Sequence, residues 1–167
     1  MKVSIKTAMT VRSMTPNDVD DVLEIDRLSF PTAWTKESYL RDLVNPSCYY
    51  LAAETEGKVV AYAGMWVILD ESHITTLAVH PDYQRKGLGR MLLENMIRFA
   101  LARQAKTMTL EVRMSNRAAQ RLYGASAFVP TAHIKNYYMD TGEDAVVMRL
   151  EVGKWPGPRK GNVNSKV

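Results

Sequence analysis

The sequence predicts an α/β fold, in which one domain has a mixed β-sheet with helices packed on its faces. Three observations support this class. The chain has 167 residues, which suits one domain, since a domain usually has roughly 100–200 residues. Its composition, 46% apolar and 24% charged, is that of an ordinary globular chain. Segments with strand and helix patterns follow one another in the order β-α-α-β-β-β-α-β-α-β-β.

The first half of the chain contains a strand, two helices and an antiparallel strand pair. Thr15-Pro16-Asn17-Asp18 combines a capping hydroxyl, a proline at the first helical position and an acid at the third, and so predicts a helix start. That helix should end at Phe30-Pro31, because the residue before a proline is disfavoured in the helical conformation. A second helix is expected between Thr35 and Pro46. Strands are expected at residues 9–14, 48–54 and 58–69.

The second half alternates strands and helices. Residues 73–79 form a predicted strand that Pro81 ends. A long amphipathic helix begins at Gly87, with apolar residues at helical spacing on one face. Ser115-Asn116 is the expected cap of a helix that extends to about Ala125. The remaining strands are expected at residues 106–112, 128–135 and 145–152.

The sequence shows no sign of export or membrane insertion. No stretch approaches the roughly 18 consecutive apolar residues of a membrane span, and residues 1–11 lack the apolar region of a signal peptide. Cys48 is the single cysteine, so no disulfide can form within the chain. We therefore expect a cytoplasmic protein without a membrane partner.

The net charge of +4 lies mostly at the carboxyl end. From Glu151 onwards the chain carries four basic residues and one acid, which account for +3. These charges lie in and around a Pro/Gly-rich run rather than on a folded face, so we do not expect direct nucleic-acid binding. The sequence thus predicts a folded domain at residues 1–152 and a flexible basic tail at residues 153–167.

A phosphate-binding turn is predicted at Gln84-Arg85-Lys86-Gly87-Leu88-Gly89. A glycine-bearing turn between a strand and a helix presents unpaired backbone N–H groups at the positive end of the helix dipole. A P-loop is excluded, because Gly89 is followed by Arg90-Met91 rather than by lysine and a hydroxyl residue. A dinucleotide-binding fingerprint is excluded too, because Leu92 stands where its third glycine would be.

The wider motif resembles a known family. The turn belongs to the run Leu77-Ala78-Val79-His80-Pro81-Asp82-Tyr83-Gln84-Arg85-Lys86-Gly87-Leu88-Gly89, which is similar to the cofactor motif of the GNAT acetyltransferase superfamily. Other segments resemble the bacterial ribosomal-protein-alanine N-acetyltransferases: Phe30-Pro31-Thr32-Ala33-Trp34, Leu110-Glu111-Val112-Arg113, Ser115-Asn116, Leu122-Tyr123 and Asn136-Tyr137-Tyr138 with Gly142-Glu143-Asp144-Ala145. The resemblance covers about residues 9–150 and implies that residues 1–152 form a GNAT domain.

The resemblance implies acetyl-CoA as cosubstrate and no metal. The pantetheine would pair with the strand that ends at Val79, between two splayed strands, and the Val79 N–H would polarise the thioester carbonyl. The pyrophosphate would bind the amides of the turn, and Asn116 would contact the pantetheine arm. The implied cofactor-binding residues are Leu77, Ala78, Val79, Gln84, Arg85, Lys86, Gly87, Leu88, Gly89, Arg90 and Asn116.

The resemblance also implies two catalytic residues. Glu111, near the end of a strand, would act as the base for an amine that attacks acetyl-CoA directly in a ternary complex. Tyr123 would act as the acid for the leaving thiolate. The competing interpretations are a surface or structural salt bridge for Glu111, for example with Arg113 on the same strand face, and a purely structural core position for Tyr123. Cys48 lies far in sequence from any histidine, so a covalent acyl-enzyme has little support.

The acceptor site is implied at the aromatic residues Phe30, Trp34, Tyr137 and Tyr138. His73 is a further substrate-side candidate that would assist as a base, although a histidine at a strand edge is more often structural. The acceptor implied by the resemblance is the N-terminal α-amino group of a protein, with the alanine terminus of a ribosomal protein as first choice. The alternatives are a GNAT enzyme that acetylates a lysine side chain or small amine, and a non-catalytic acyl-CoA sensor.

Two positions depart from the family pattern. Ala127 stands where a glycine usually ends the helix after the tyrosine, and a left-handed conformation there would cost up to about 1 kcal/mol relative to glycine. Ala33 stands in the first aromatic loop where proline is frequent.

Overall fold

The computed structural model of the chain describes residues 8–158. Seven strands and four α-helices follow one another in the predicted order, so the predicted element order is confirmed. Their bounds are β1 Thr10–Ser13, α1 Val19–Ser29, α2 Lys36–Leu43, β2 Cys48–Thr55, β3 Lys58–Ile68, β4 Glu71–Val79, α3 Leu88–Ala102, β5 Thr107–Arg113, α4 Arg117–Ala125, β6 Val129–Tyr138 and β7 Glu143–Glu151.

The strands form one sheet in the order β1-β2-β3-β4-β5-β7-β6. Neighbouring strands are antiparallel except β4 and β5, which are parallel. That parallel pair is short, since it joins only Glu71–His73 to Thr107–Thr109. Beyond His73 and Thr109 the two strands part, and the sheet opens between them. The predicted mixed sheet is confirmed, and its opening lies at the strand that leads into the glycine-bearing turn.

A β-bulge on β4 lies at the start of the opening. Met65 of β3 pairs with Ile74 and the preceding Gly64 pairs with Thr76, so Thr75 has no partner in this ladder. A bulge of this kind bends a strand and increases its twist. The bulge therefore helps β4 to turn away from β5 at the position where the pairing stops.

Helices cover both faces of the sheet. Helix α3 packs on one face, where Leu92, Leu93 and Met96 are fully buried. Helices α1 and α2 pack on the other face, around Val22, Ile25 and Tyr39. These two cores lie on opposite faces because successive strand residues point in opposite directions.

Several local expectations agree with the structure. Thr35 caps α2, with its Oγ1 accepting from Ser38 N at 3.2 Å. Asn116 caps α4, with its Oδ1 accepting from Ala119 N at 3.1 Å. Phe30 is extended and ends α1. Ala127 has φ 70°, so helix α4 ends in the left-handed conformation although alanine is less favourable there than glycine.

The first helix differs from its expected start. A 3-10 turn at Pro16–Asp18 precedes the α-helix, which begins at Val19. Thr15 N donates to Asp18 Oδ2 at 2.7 Å, so the acid does bond back to the capping residue as expected. Arg12 also binds this carboxylate with both terminal nitrogens at 2.8 Å. The Asp18 side chain thus organises the turn before the helix rather than the first turn of the helix itself.

Residues beyond the sheet are described as far as residue 158. A 3-10 turn spans Val152–Lys154, and the partly buried Trp155 packs against the core under α3. The rest of the expected tail, residues 159–167, lies outside the described residues, as do residues 1–7. No helix within residues 8–158 is long and apolar enough to cross a membrane.

Candidate active site

A cavity of about 370 Å³ lies at the opening between β4 and β5. The end of α1 and the loop after it border it on one face of the sheet, and α4 borders it on the other. The β6–β7 hairpin closes one side through Tyr138 and Asp140. Seven of the residues predicted from sequence line this cavity: Phe30, Trp34, Leu77, Glu111, Asn116, Tyr123 and Tyr138.

The free edge of β4 provides backbone groups in this opening. His80 N donates to Val60 O at 2.8 Å, so this N–H points toward β3. Because successive N–H groups of a strand point to opposite edges, those of Leu77 and Val79 point toward the opening, whereas that of Ala78 points toward β3. The Ala78 side chain is buried in the core under α1. The Gln84 side chain donates from Nε2 to Val79 O at 3.1 Å and anchors the following turn to the strand end.

The glycine-bearing turn has the backbone geometry of an anion site. Gly87 precedes α3 in a left-handed conformation, φ 82°, and a Cβ at this position would meet no atom within 4 Å. The first bond into the helix runs from Met91 N to Gly87 O at 3.0 Å. The N–H groups of Leu88, Gly89 and Arg90 therefore have no carbonyl one turn before them.

Two basic residues, Arg85 and Lys86, belong to the same turn as these amides. Arg85 has a left-handed backbone conformation, φ 60°, and Lys86 lies over the Tyr83 ring at 5.1 Å. Unpaired N–H groups, the helix dipole and nearby cations together suit a pyrophosphate. None of the residues of this turn lines the cavity itself. The turn follows β4, and β4 does line the cavity.

Helix α4 brings Asn116 and Tyr123 to the cavity. The Asn116 Oδ1 is used in the cap, so the side-chain NH2 group is left to contact a ligand. The Tyr123 ring packs against Phe128 at 5.8 Å, and burial raises the pKa of Tyr123 to about 12. The phenol is therefore protonated at physiological pH and available as a proton donor.

Glu111 faces the cavity from β5 with His73 as its partner. His73 Nε2 lies 2.9 Å from Glu111 Oε2, and His73 Nδ1 lies 2.7 Å from Thr109 Oγ1. The imidazole also stacks on Trp66, with 5.4 Å between ring centroids. Glu111 is thus joined to the histidine candidate and not to Arg113, which binds Asp140 instead. The structural salt bridge considered for Glu111 therefore has His73 as its partner and not Arg113.

The aromatic acceptor candidates come from two segments. Phe30 and Trp34 lie in the loop between α1 and α2, where Trp34 packs on Tyr39 with 5.5 Å between ring centroids. Tyr137 and Tyr138 lie at the end of β6 and meet edge to face at 5.0 Å. Tyr137 is 42% exposed and does not line the cavity, whereas Tyr138 does.

A wide bulge in β6 sets the position of these tyrosines. Ile134 pairs with Ala145, and Tyr138 pairs with Glu143. Residues 135–137 of β6 therefore lie opposite the single residue Asp144 of β7 and bulge out of the ladder. Asp144 accepts from Asn136 N at 2.9 Å and binds His133 Nε2 at 2.7 Å, and these bonds lower the pKa of Asp144. The pKa of Tyr137 is raised by burial and by the charge of Glu111, which indicates that the two groups share one electrostatic environment.

A buried polar cluster at the α1 side of the cavity was missed by sequence analysis. Asp26 is 1% exposed and accepts from Tyr39 Oη at 2.6 Å and from Tyr62 Oη. Tyr62 Oη also contacts Thr76 Oγ1 at 3.1 Å. Burial raises the pKa of both phenols above the usual range. The members come from α1, α2, β3 and β4, so no local spacing in the sequence could have revealed them.

Within residues 8–158, no group of three or more His, Cys, Asp or Glu side chains is placed to hold a metal ion.

An open strand edge, an amide-lined turn and acid and base candidates that line one cavity are features of an acyl-transfer enzyme of the GNAT class. The profile of the family described as "Acetyltransferase (GNAT) family" matches residues 19–128. The chain therefore belongs to the GNAT acetyltransferase family.

Within this family, the chain is similar to several N-terminal acetyltransferases. The ribosomal protein bS18-alanine N-acetyltransferase of Escherichia coli K12 is 36% identical, over 86% of this chain and 97% of that protein. The crystal structure of the Escherichia coli ribosomal-protein-S18-alanine N-acetyltransferase superposes with a TM-score of 0.80 at 34% identity, over 87% of this chain and 94% of the other. Arabidopsis thaliana NAA60 in complex with acetyl-CoA has the same fold, with a TM-score of 0.80 at 16% identity over 87% of this chain and 99% of the other.

Proposed function

We propose that this enzyme transfers an acetyl group from acetyl-CoA to the N-terminal α-amino group of a protein, with an alanine-first ribosomal protein as substrate. The observation that carries the proposal is that Glu111 and Tyr123 line one cavity at the free edge of β4. The names of the relatives support the acceptor, since the Escherichia coli proteins are ribosomal-protein-alanine N-acetyltransferases. Because ribosomal proteins are made in the cytoplasm, we propose that location as well.

The residues around the opening fit acetyl-CoA. The free N–H group of Leu77 would pair with the pantetheine arm and the Asn116 side chain would bind the same arm, which leaves the Val79 N–H for the thioester carbonyl. The amides of Leu88, Gly89 and Arg90 would hold the pyrophosphate, with charge support from Arg85 and Lys86. When bound, acetyl-CoA supplies a thioester whose carbonyl carbon accepts the amine.

Glu111 is the proposed base. An α-amino group has an unperturbed pKa of about 8, so removing its proton near neutral pH requires only modest help. The Glu111 carboxylate, through a water molecule, would accept this proton as the nitrogen bonds to the acetyl carbon. His73 lies within hydrogen-bond distance of Glu111 and would orient the carboxylate. The Val79 N–H would stabilise the charge that develops on the carbonyl oxygen.

Tyr123 is the proposed acid. As the carbon–sulfur bond breaks, the phenol would donate its proton to the sulfur, and free CoA would leave as the thiol. The burial that raises the pKa of Tyr123 to about 12 also disfavours a charged thiolate in the same cavity. The phenol therefore stays protonated until negative charge appears on sulfur, when proton transfer becomes favourable.

The acceptor is tested by mass spectrometry with acetyl-CoA and peptides that differ only in their first residue. Each peptide carries an internal lysine, and a matched set has a blocked N-terminus. We expect acetylation at the α-amino group, fastest with alanine first, and none on the blocked set. Modification of the lysine alone would contradict the proposal and indicate a lysine acetyltransferase. Absence of turnover with every peptide would also contradict it and indicate a non-catalytic acyl-CoA sensor.

A further inference from the structure

Arg113 has no role in the proposed acetyl transfer, yet it makes the largest set of polar contacts at the cavity. Its Nη2 donates to both carboxylate oxygens of Asp140, at 2.9 and 3.2 Å, and its Nη1 donates to Thr141 Oγ1 at 3.0 Å and to Glu143 Oε2 at 3.5 Å. Its guanidinium also lies 3.9 Å from the centroid of the Tyr138 ring. Every one of these partners belongs to the β6–β7 hairpin.

These contacts are partly shielded from solvent. The Arg113 side chain is 20% exposed and the Asp140 side chain 18% exposed. The guanidinium holds the pKa of Asp140 below its usual range, chiefly through the hydrogen bond. One terminal nitrogen, Nη2, meets both carboxylate oxygens of Asp140, and the other, Nη1, binds two further groups of the hairpin. This set of bonds constrains geometry more than a single ion pair does.

Glu143 extends the same set of bonds to the cofactor side. Its Oε1 accepts from Ser115 N at 2.8 Å, directly before the cap of α4. The backbone carbonyl of Arg113 accepts from Asn116 N at 3.0 Å. The segment that joins β5 to α4, which positions Asn116, is therefore bonded to the hairpin that carries Tyr137 and Tyr138.

We propose that Arg113 is a positioning residue for the acceptor, which fastens the Tyr137–Tyr138 hairpin over Glu111 and aligns it with the pantetheine-binding segment. This inference rests on the proposed function. Arginine suits the role because its planar group can direct its two terminal nitrogens to different groups of the hairpin and lie on an aromatic ring at once. Lysine would keep the charge and lose both of these geometries.

The test measures the kinetics of Arg113→Lys, Asp140→Asn and the double variant against the wild type, with the alanine-first peptide as substrate. We expect each single change to raise KM for the peptide at least about fivefold, with kcat and the Kd for CoA changed less than about twofold. Because the two groups act through each other, the double variant should raise KM no more than the larger single effect. Amide hydrogen exchange in residues 137–143 should become faster in all three proteins.

Arg12→Lys is the matched control, because Arg12 also binds two carboxylates, Asp18 and Glu54, but on β1 and away from the cavity. It should leave the peptide KM and the exchange of residues 137–143 unchanged. An unchanged KM in both Arg113→Lys and Asp140→Asn, with the wild type active, would overturn this inference alone. So would an equal rise of KM in Arg12→Lys. A wild type that does not acetylate the peptide would instead overturn the proposed function, and this inference with it.

Discussion

Among single residues, the partner of Glu111 matters most for the chemistry. An arginine would hold the carboxylate in a fixed ion pair and reduce its basicity. In the structure Arg113 pairs with Asp140 instead of Glu111. Glu111 lies beside His73, with 2.9 Å between His73 Nε2 and Glu111 Oε2. The Trp66 stack and the Thr109 hydroxyl fix the orientation of the imidazole. Glu111 is therefore oriented without being neutralised by a permanent cation.

The raised pKa of Tyr123 predicts the shape of the pH profile. The required form of Tyr123 is the protonated one, which is present below its pKa of about 12. The acceptor must be unprotonated, which happens above about pH 8. With the alanine-first peptide, kcat/KM should therefore rise through about pH 8 and stay level to about pH 10. A falling limb below pH 10 that is absent from Tyr123→Phe would contradict this prediction, provided that circular dichroism shows the fold intact.

At the scale of elements, the turn before α3 and the opening of the sheet act together. Gly87 provides the left-handed residue that lets α3 begin with its amides toward the strand end. Gln84 ties the turn to Val79, and the bulge at Thr75 bends β4 away from β5. One end of β4 thus presents both the free strand edge and the anion site.

Gly87 should be required for CoA binding rather than for the fold. Gly87→Val puts a branched side chain at φ 82°, which strains the turn and displaces its amides. We expect the Kd for CoA, measured by calorimetry, to rise at least about tenfold. Gly57→Val is the matched control, since Gly57 has φ 76° and equally open space but lies in the β2–β3 turn. Gly57→Val should lower the free energy of unfolding by about as much as Gly87→Val does, and it should leave the Kd for CoA unchanged. Equal CoA affinity in the two variants would contradict the assignment of the pyrophosphate to the glycine-bearing turn.

At the scale of the whole molecule, local signals in the sequence predicted the element order but not the long-range polar contacts. Phe30-Pro31 and Asn116 act within a few residues, so their effects on α1 and α4 could be predicted. The hydrogen bonds of the Arg113 side chain join positions 27 or more residues apart, and the Asp26 cluster joins α1 to three other elements, α2, β3 and β4. Which polar groups meet in such contacts depends on the packed fold, and no spacing rule encodes it.

The positions of Glu111 and Tyr123 in the whole molecule explain why the sheet must open between β4 and β5. Glu111 approaches the cavity from the face that bears His73 and Trp66, whereas Tyr123 comes from α4 against the core under α3. Base and acid therefore lie on opposite sides of the sheet. A continuous sheet would separate them, and the parting of β4 and β5 lets both line one cavity.

The most direct test of this arrangement is the turnover of Glu111→Gln and Tyr123→Phe with acetyl-CoA and an alanine-first peptide, measured together with the Kd for CoA. Each change should lower kcat at least about tenfold, as expected for the loss of one acid or base, with the Kd for CoA changed less than about twofold. Wild-type rates in both variants would contradict the account, because the cavity between β4 and β5 would then not be where acetyl transfer is catalysed.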